Sequence, residues 1–126
     1  MRKSHVLALL ALIALALVVA GPGAAQKGPI KIGFVTSQSG PLAANGKDMI
    51  NGLELYLEEQ GGMLAGREVK LIIEDDEGKP ATGLTKVRGL VEGQGIHVLI
   101  GPVSAAIGYA IAPYVDQKKI PTLYPI

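Results

Sequence analysis

The sequence predicts an α/β fold, a three-layer doubly wound parallel sheet, and three observations carry that expectation. Short apolar runs alternate with longer stretches of helical spacing from Ile30 onward. One run alternates apolar with polar residues, whereas another is apolar almost throughout. Turn and capping residues separate the runs. The first pattern is that of repeated strand-helix-strand units. The second separates a half-exposed edge strand from a strand buried on both faces.

Taken in order, Ile30-Lys31-Ile32-Gly33-Phe34-Val35 forms the first strand, and the polar run Thr36-Ser37-Gln38-Ser39-Gly40-Pro41 follows it. Asn45-Gly46 stands where a helix cap is wanted, with Asp48 three residues beyond Asn45 to favour the positive helix end. Met49, Leu53, Tyr56 and Leu57 recur at helical spacing, and Gly61-Gly62 ends that helix. From Glu68 to Glu74 the second strand puts Val69, Leu71 and Ile73 on one face, the pattern of an edge. Pro80 to Glu92 reads as a helix with Leu84, Val87, Leu90 and Val91 as its buried stripe. Gly83 and Gly89 weaken it by about 1 kcal/mol each relative to Ala, so it depends on packing against the sheet.

The third strand, His97-Val98-Leu99-Ile100, has the apolar character of an interior parallel strand. Ser104 to Lys119 is the third helix, with Ser104 as a cap and Pro113 expected to kink or divide it. Ile120-Pro121-Thr122-Leu123-Tyr124 begins a fourth strand. An edge second strand beside interior first and third strands gives the sheet order 2-1-3-4.

The first quarter of the 126 residues has a different character. A basic start, Met1-Arg2-Lys3-Ser4-His5, leads into Val6–Ala20, built only of Val, Leu, Ala and Ile. Gly21-Pro22-Gly23 then breaks the run, and small residues precede Gln26. This is the layout of a signal peptide over residues 1–25, cut after Ala25 and followed by a linker over 26–29. A retained anchor is the competing reading, because Val6 to Ala25 is uncharged and long enough to just span a bilayer. The expected location is periplasmic or otherwise extracytoplasmic, with no stable membrane span after cleavage.

The chain has 12 Lys or Arg against 11 Asp or Glu. Removing Arg2 and Lys3 leaves about −1 and no basic block, which argues against nucleic acid as a partner. The absence of cysteine removes a thiolate metal site, a Cys nucleophile and a lipid-modified cysteine together. No cofactor or metal is expected.

In an open parallel sheet, ligands bind beyond the carboxyl ends of the strands where the order of connection reverses. Two loops meet there: Ser37 to Gly46 after the first strand, and Gly101-Pro102-Val103-Ser104-Ala105 after the third. Both lead into helix amino termini, whose free N–H groups favour a carboxylate or another anion.

At these loops the sequence resembles the leucine/isoleucine/valine-binding family of periplasmic binding proteins, the type I receptors of ABC importers. The resemblance rests on Ile30-Lys31-Ile32-Gly33, Ser39-Gly40-Pro41-Leu42-Ala43, Gly52 and Gly61-Gly62, then Gly66-Arg67-Glu68-Val69 and Glu74-Asp75-Asp76. It continues through Ile100-Gly101-Pro102-Val103-Ser104 to Ile120-Pro121. The ordered set covers residues 30–126, which the resemblance reads as part of the first lobe of a two-lobed receptor. Such a receptor closes on an amino acid or related small carboxylate or amide and delivers it to permease subunits. The resemblance implies ligand contacts at Asn45, at Ser104 with Ala105, and at Ile126, and Ser39 in the first loop is a further candidate.

Two departures keep the ligand open: Asn45 stands where many amino-acid binders have an aromatic residue, and Ala105 where they have a hydroxyl. An amide, another carboxylate or an aromatic acid fits as readily as a branched-chain amino acid. The same fold also serves ligand-sensing domains of receptors and regulators, which is the alternative reading. Because family members are longer and supply a second lobe, this chain alone is expected to bind poorly and to expose apolar sheet surface.

Other candidate chemistry has plainer explanations. Glu74-Asp75-Asp76-Glu77 reads as a solvated face or turn after an edge strand. A phosphoacceptor domain would place acids after strands one and three, where Thr36 and Gly101 stand. His97 has no carboxylate near it in sequence and reads as structural, and Tyr109 and Tyr114 lie on different sides of their helix. Without a Gly-x-Ser-x-Gly elbow the chain has no serine-hydrolase signature, and it is not expected to be an enzyme.

Overall fold

The computed structural model describes residues 28–125. The expected signal peptide, its cleavage point, Gln26 and Lys27 of the expected linker, and Ile126 lie outside the described residues. The elements run β1 (Ile30–Thr36), α1 (Ala43–Glu59), β2 (Met63–Leu64), β3 (Arg67–Asp75), α2 (Pro80–Arg88), a π turn (Gly89–Gln94), β4 (Val98–Ile100), α3 (Ala105–Gln117) and β5 (Thr122–Leu123). The sheet order is β2-β3-β1-β4-β5. Its four main strands are parallel and follow the expected 2-1-3-4 arrangement, with β1 between β3 and β4.

The short strand β2 was not legible in the sequence. It pairs antiparallel with the start of β3, Leu64 opposite Arg67. The turn between them places both Ala65 and Gly66 in the left-handed region, at φ 51° and 73°. Hairpin turns of that kind are usually signalled by Asn-Gly or Asp-Gly, and Ala-Gly hides the signal.

Strand alternation sorts the sheet into two faces. On one face Val35 and Leu99 join Val87, Leu90, Ile96, Ile107, Ile111, Tyr114 and Val115 in a single buried cluster, covered by α2, the π turn and α3. On the other, Ile32, Phe34 and Thr36 are buried on the side where α1 lies, and Gly46 of α1 approaches Thr36. Right-handed crossovers from a central β1 require this split, one helix on one face and two on the other. Each large aliphatic or aromatic side chain buried this way contributes about 1.5–3 kcal/mol.

Helix α2 packs closely against α3 as well as lying over the sheet. A Cβ at Gly83 would lie 2.5 Å from a methyl of Ile107, so the glycine lets α2 and α3 approach closely here. The regular helix stops at Arg88, and the turn Gly89–Gln94 completes the segment before Gly95, at φ 64°, releases it towards β4. Glu92 on that turn accepts from the Tyr114 hydroxyl at 3.0 Å and pairs with Lys118 at 3.0 Å, which ties the turn to α3. Pro113 neither divides nor ends α3; it sits exposed within one helix from Ala105 to Gln117. Beyond β4 the covering thins: Leu123, in register with Ile100, is 61% exposed. Among the described residues no helix is long and apolar enough to cross a membrane.

Candidate ligand-binding site

The carboxyl ends of β1 and β4 lie side by side, Phe34 in register with Ile100, so the loops that follow them share one end of the sheet. Two glycines let backbone meet backbone there. A Cβ on Gly46 would fall 1.9 Å from the Ser37 carbonyl oxygen, which seats the first turn of α1 directly on the end of β1. A Cβ on Gly101 would fall 1.8 Å from the Val35 carbonyl oxygen, so β4 and β1 are equally close.

Helix α1 begins at Ala43, with Leu42 at its cap position and no side-chain cap. Asn45 is therefore not the cap. Ala43 and Ala44 are good helix formers, and they extend the helix backward until the turn at Gly40 and Pro41, leaving Asn45 exposed within the first turn. Ser104 does hold the cap position of α3, in extended conformation. Its carbonyl accepts from the N–H groups of Ile107 and Gly108 at 3.1 and 2.9 Å, but its hydroxyl makes no capping bond. That hydroxyl stays available beside the first N–H groups of α3, which have no acceptor within the helix. Ala105 is exposed next to it.

The acidic run Glu74-Asp75-Asp76-Glu77, which begins in the last two residues of β3, is only partly the solvated turn expected of it. Glu77 is exposed, and with Gly78 it makes a left-handed turn at φ 55° and 69°. Asp76, by contrast, is fully buried. Its Oδ1 accepts from the Ser37 hydroxyl at 2.6 Å and from the Gly78 N–H at 2.8 Å. Asp75 accepts from the N–H groups of Gln38 and Glu77, both at 2.8 Å. Both carboxylates thus bind the loop after β1 to the end of β3, Asp76 through Ser37 and Asp75 through Gln38 and Ser39. Asp76 Oδ2 and Thr36 Oγ1 are buried with no hydrogen-bond partner among the described residues.

Burial opposes ionisation of Asp75, but the N–H bonds from Gln38 and Glu77 and the bonds from Ser39 outweigh it and hold the carboxyl below its ordinary value. A carboxylate depressed in the folded state adds stability that is full above its unfolded value of about 4 and is lost as pH falls through the folded value. Asp75→Asn is therefore expected to flatten the acid limb of the stability curve below about pH 4. Unfolding followed by circular dichroism between neutral and acid pH checks this, and parallel acid limbs for the two proteins would contradict it.

The structure brings Ser39, Asn45, Ser104 and Ala105 to the same end of the sheet, on two neighbouring loops and the helices they open. A cavity of about 210 Å³ begins at Ala105 and runs along α3 past Gly108, Tyr109 and Ala112 to Tyr124. It is mainly apolar, and of the candidate residues Ala105 lines it while Ser39, Asn45 and Ser104 do not. Ile126 lies outside the described residues. The sequence reading missed Asp76 as a loop anchor. The available signal was Asp-Glu-Gly immediately after an apolar strand, a turn in which a carboxylate accepts the backbone N–H two residues on.

With this geometry in place, comparison with known proteins decides the family: the family model for periplasmic binding proteins matches residues 29–126. The chain belongs to the periplasmic binding protein family. A Leu/Ile/Val-binding protein of Rhizobium johnstonii is 31% identical over 94 residues, which are 72% of this chain and 25% of that protein. Among solved structures, an ABC transporter substrate-binding protein from Sphaerobacter thermophilus superposes with a TM-score of 0.74 at 36% identity, covering 76% of this chain and 26% of that one. A solute-binding protein of an ABC transporter from R. palustris, determined with benzoate, matches with a TM-score of 0.74 at 34% identity, covering 78% and 27%. The chain thus spans about a quarter of the length of these periplasmic binding proteins. They are two-lobed, and it corresponds to part of one lobe, with the doubly wound order found above. The family is one of solute-binding proteins rather than enzymes.

Proposed function

We propose that this chain is part of the first lobe of an extracytoplasmic solute-binding protein, serving an ABC importer and taking a small carboxylate with an apolar body. The observation that carries the reading is the start of α3: an uncommitted Ser104 hydroxyl and open helix N–H groups stand beside the apolar face that begins at Ala105. Oriented donors at a helix amino terminus favour an anionic group, and the adjoining apolar surface favours a hydrocarbon body. Both relatives' ligand classes, branched-chain amino acids and benzoate, have that division. In this reading Ser104 and the Ala105 N–H hold the carboxylate, Ser39 and Asn45 contact it from the first loop, and Ile126 contributes at the turn after β5. The lobes close on the ligand by hinge motion, and no bond in it is broken.

The test uses the complete protein that contains this lobe, with calorimetric titration against leucine, benzoate and related acids and amides. A carboxylate ligand is expected to bind, and Ser104→Ala is expected to weaken it about tenfold, the loss of one charge-assisted hydrogen bond. Unchanged affinity in the variant removes the hydroxyl from the site, and failure of every carboxylate to bind removes the reading itself.

Export through a signal peptide cut after Ala25 belongs to the same proposal. The exported protein is then expected to begin at Gln26, which intact-mass measurement of the secreted product reads directly. A product retaining Val6–Ala20 would favour the anchor instead.

A further inference from the structure

The pole of the sheet opposite this site holds a second cavity, of about 200 Å³, lined by Gly28, Pro29, Lys31, Arg67, Gly95 and His97. Its three basic residues come from adjacent strands. Lys31 lies at the start of β1, Arg67 opens β3, and His97 directly precedes β4, with β1 between the other two. The backbone fixes each of them. Arg67 donates through Nε and Nη2 to the Gly28 carbonyl at 3.0 and 2.7 Å. The Lys31 ammonium donates to the Gln94 carbonyl at 2.7 Å. The Lys31 N–H donates to His97 Nδ1 at 2.9 Å, and the His97 N–H returns to the Lys31 carbonyl at 2.9 Å. With Nδ1 accepting, the neutral imidazole carries its proton on Nε2.

Carbonyl acceptors orient a cation without cancelling its charge. Every Asp and Glu of the chain lies between Asp48 and Asp116, within the described residues. The ion pairs formed there use Lys79, Lys86 and Lys118. None among the described residues reaches Lys31 or Arg67. Each basic group also keeps donors beyond its structural bond: two further protons on Lys31 Nζ, the Nη1 pair of Arg67, and Nε2–H of His97. Structural needs explain the first bond of each residue. They do not explain three prearranged cationic or polar donors around one cavity with no carboxylate among them.

We propose that this cavity is a binding site for the phosphate group of a small anion, separate from the solute site at the other pole. The guanidinium of Arg67 and the ammonium of Lys31 supply the charge, and His97 supplies a neutral donor. Three separate donor side chains line this one cavity, and a phosphate group, with more acceptor oxygens than a carboxylate, can use all of them. Free phosphate and a phospholipid headgroup share this chemistry.

The experiment titrates the ¹⁵N-labelled chain with inorganic phosphate, holding ionic strength constant with sodium chloride to remove general screening. Saturable shifts are expected at the Lys31, Gly95 and His97 amides and at Arg67 Nε. The double variant Lys31→Gln, Arg67→Gln is expected to bind at least tenfold more weakly, and Lys47→Gln, on α1 away from the cavity, to bind as before. Should the double variant fail to fold, Arg67→Lys keeps the charge but loses the fork, and an intermediate affinity is expected from it. A second arm uses phosphatidylglycerol vesicles. Sedimentation with them that phosphate competes away assigns the headgroup, whereas phosphate binding without vesicle binding assigns the free anion. Shifts that grow linearly and match those in chloride, with no vesicle binding, overturn the proposal. So does an affinity that the double variant, or Arg67→Lys in its place, leaves unchanged.

Discussion

Replacing Gly101 with alanine is expected to destabilise the chain by about 3–5 kcal/mol, a large part of what a domain of this size has to lose. Two independent costs meet at this residue. Gly101 has φ 105°, a conformation that an L side chain adopts only under strain, at about 1–3 kcal/mol. The added Cβ would also lie 1.8 Å from the Val35 carbonyl oxygen, and that neighbour is backbone at the end of a central strand, which cannot turn aside as a side chain can. Relief requires β1 and β4 to separate just where both loops of the proposed solute site begin. Overpacking of this kind costs about 1–3 kcal/mol. Separation would also strain the bond from the Gly101 N–H to the Leu123 carbonyl, at 3.0 Å, which helps hold β5 on the sheet. Urea unfolding followed by circular dichroism gives the loss as a shift in midpoint. A midpoint within error of the parent would show that the two strands are not locked together here.

The parts of this fold that could be read in the sequence are those governed by a repeating pattern. Alternation in Val69, Leu71 and Ile73 against the unbroken run Val98-Leu99-Ile100 separates an outer strand from an inner one, and the strand order follows from that contrast. Helix starts were harder. The amide of Asn45 suggested a cap, yet α1 begins two residues earlier at Ala43, because the seat of its first turn on the Ser37 carbonyl is a tertiary contact made possible by Gly46. Ser104 was legible as a cap position, but whether its hydroxyl is spent on the helix depends on a side-chain torsion that no spacing records. The acidic run shows the same limit in another form. Glu74 and Glu77 behave as surface charge, each paired with a lysine at 2.8 Å, while Asp76 between them turns inward to a serine 39 positions earlier. Charge and composition cannot tell these neighbours apart; the strand's direction at its last residue does.

That inward turn sets the last expectation. Asp76→Ala is expected to cost about 2–4 kcal/mol, and Asp76→Asn markedly less. In the alanine variant the buried Ser37 hydroxyl and the N–H of exposed Gly78 lose their shared acceptor, and only the second can turn to water instead. Each unsatisfied buried group costs about 1–3 kcal/mol. Asparagine keeps an oxygen where both donors point, and its amide nitrogen replaces an oxygen that has no partner among the described residues. One unpaired amide then costs less than two donors left without their acceptor. A double-mutant cycle with Ser37→Ala isolates the hydroxyl's share, since both residues are fully buried and in direct contact. Hydrogen exchange adds a local readout: in Asp76→Ala the Gln38 to Gly40 amides should exchange faster before the core does, because the loop has lost one of its two carboxylate tethers to β3, keeping that of Asp75, while the cluster around Val35 is intact. If asparagine proves as damaging as alanine, an acceptor oxygen for Ser37 and Gly78 is not enough to anchor the loop, and the second oxygen of Asp76 is needed as well.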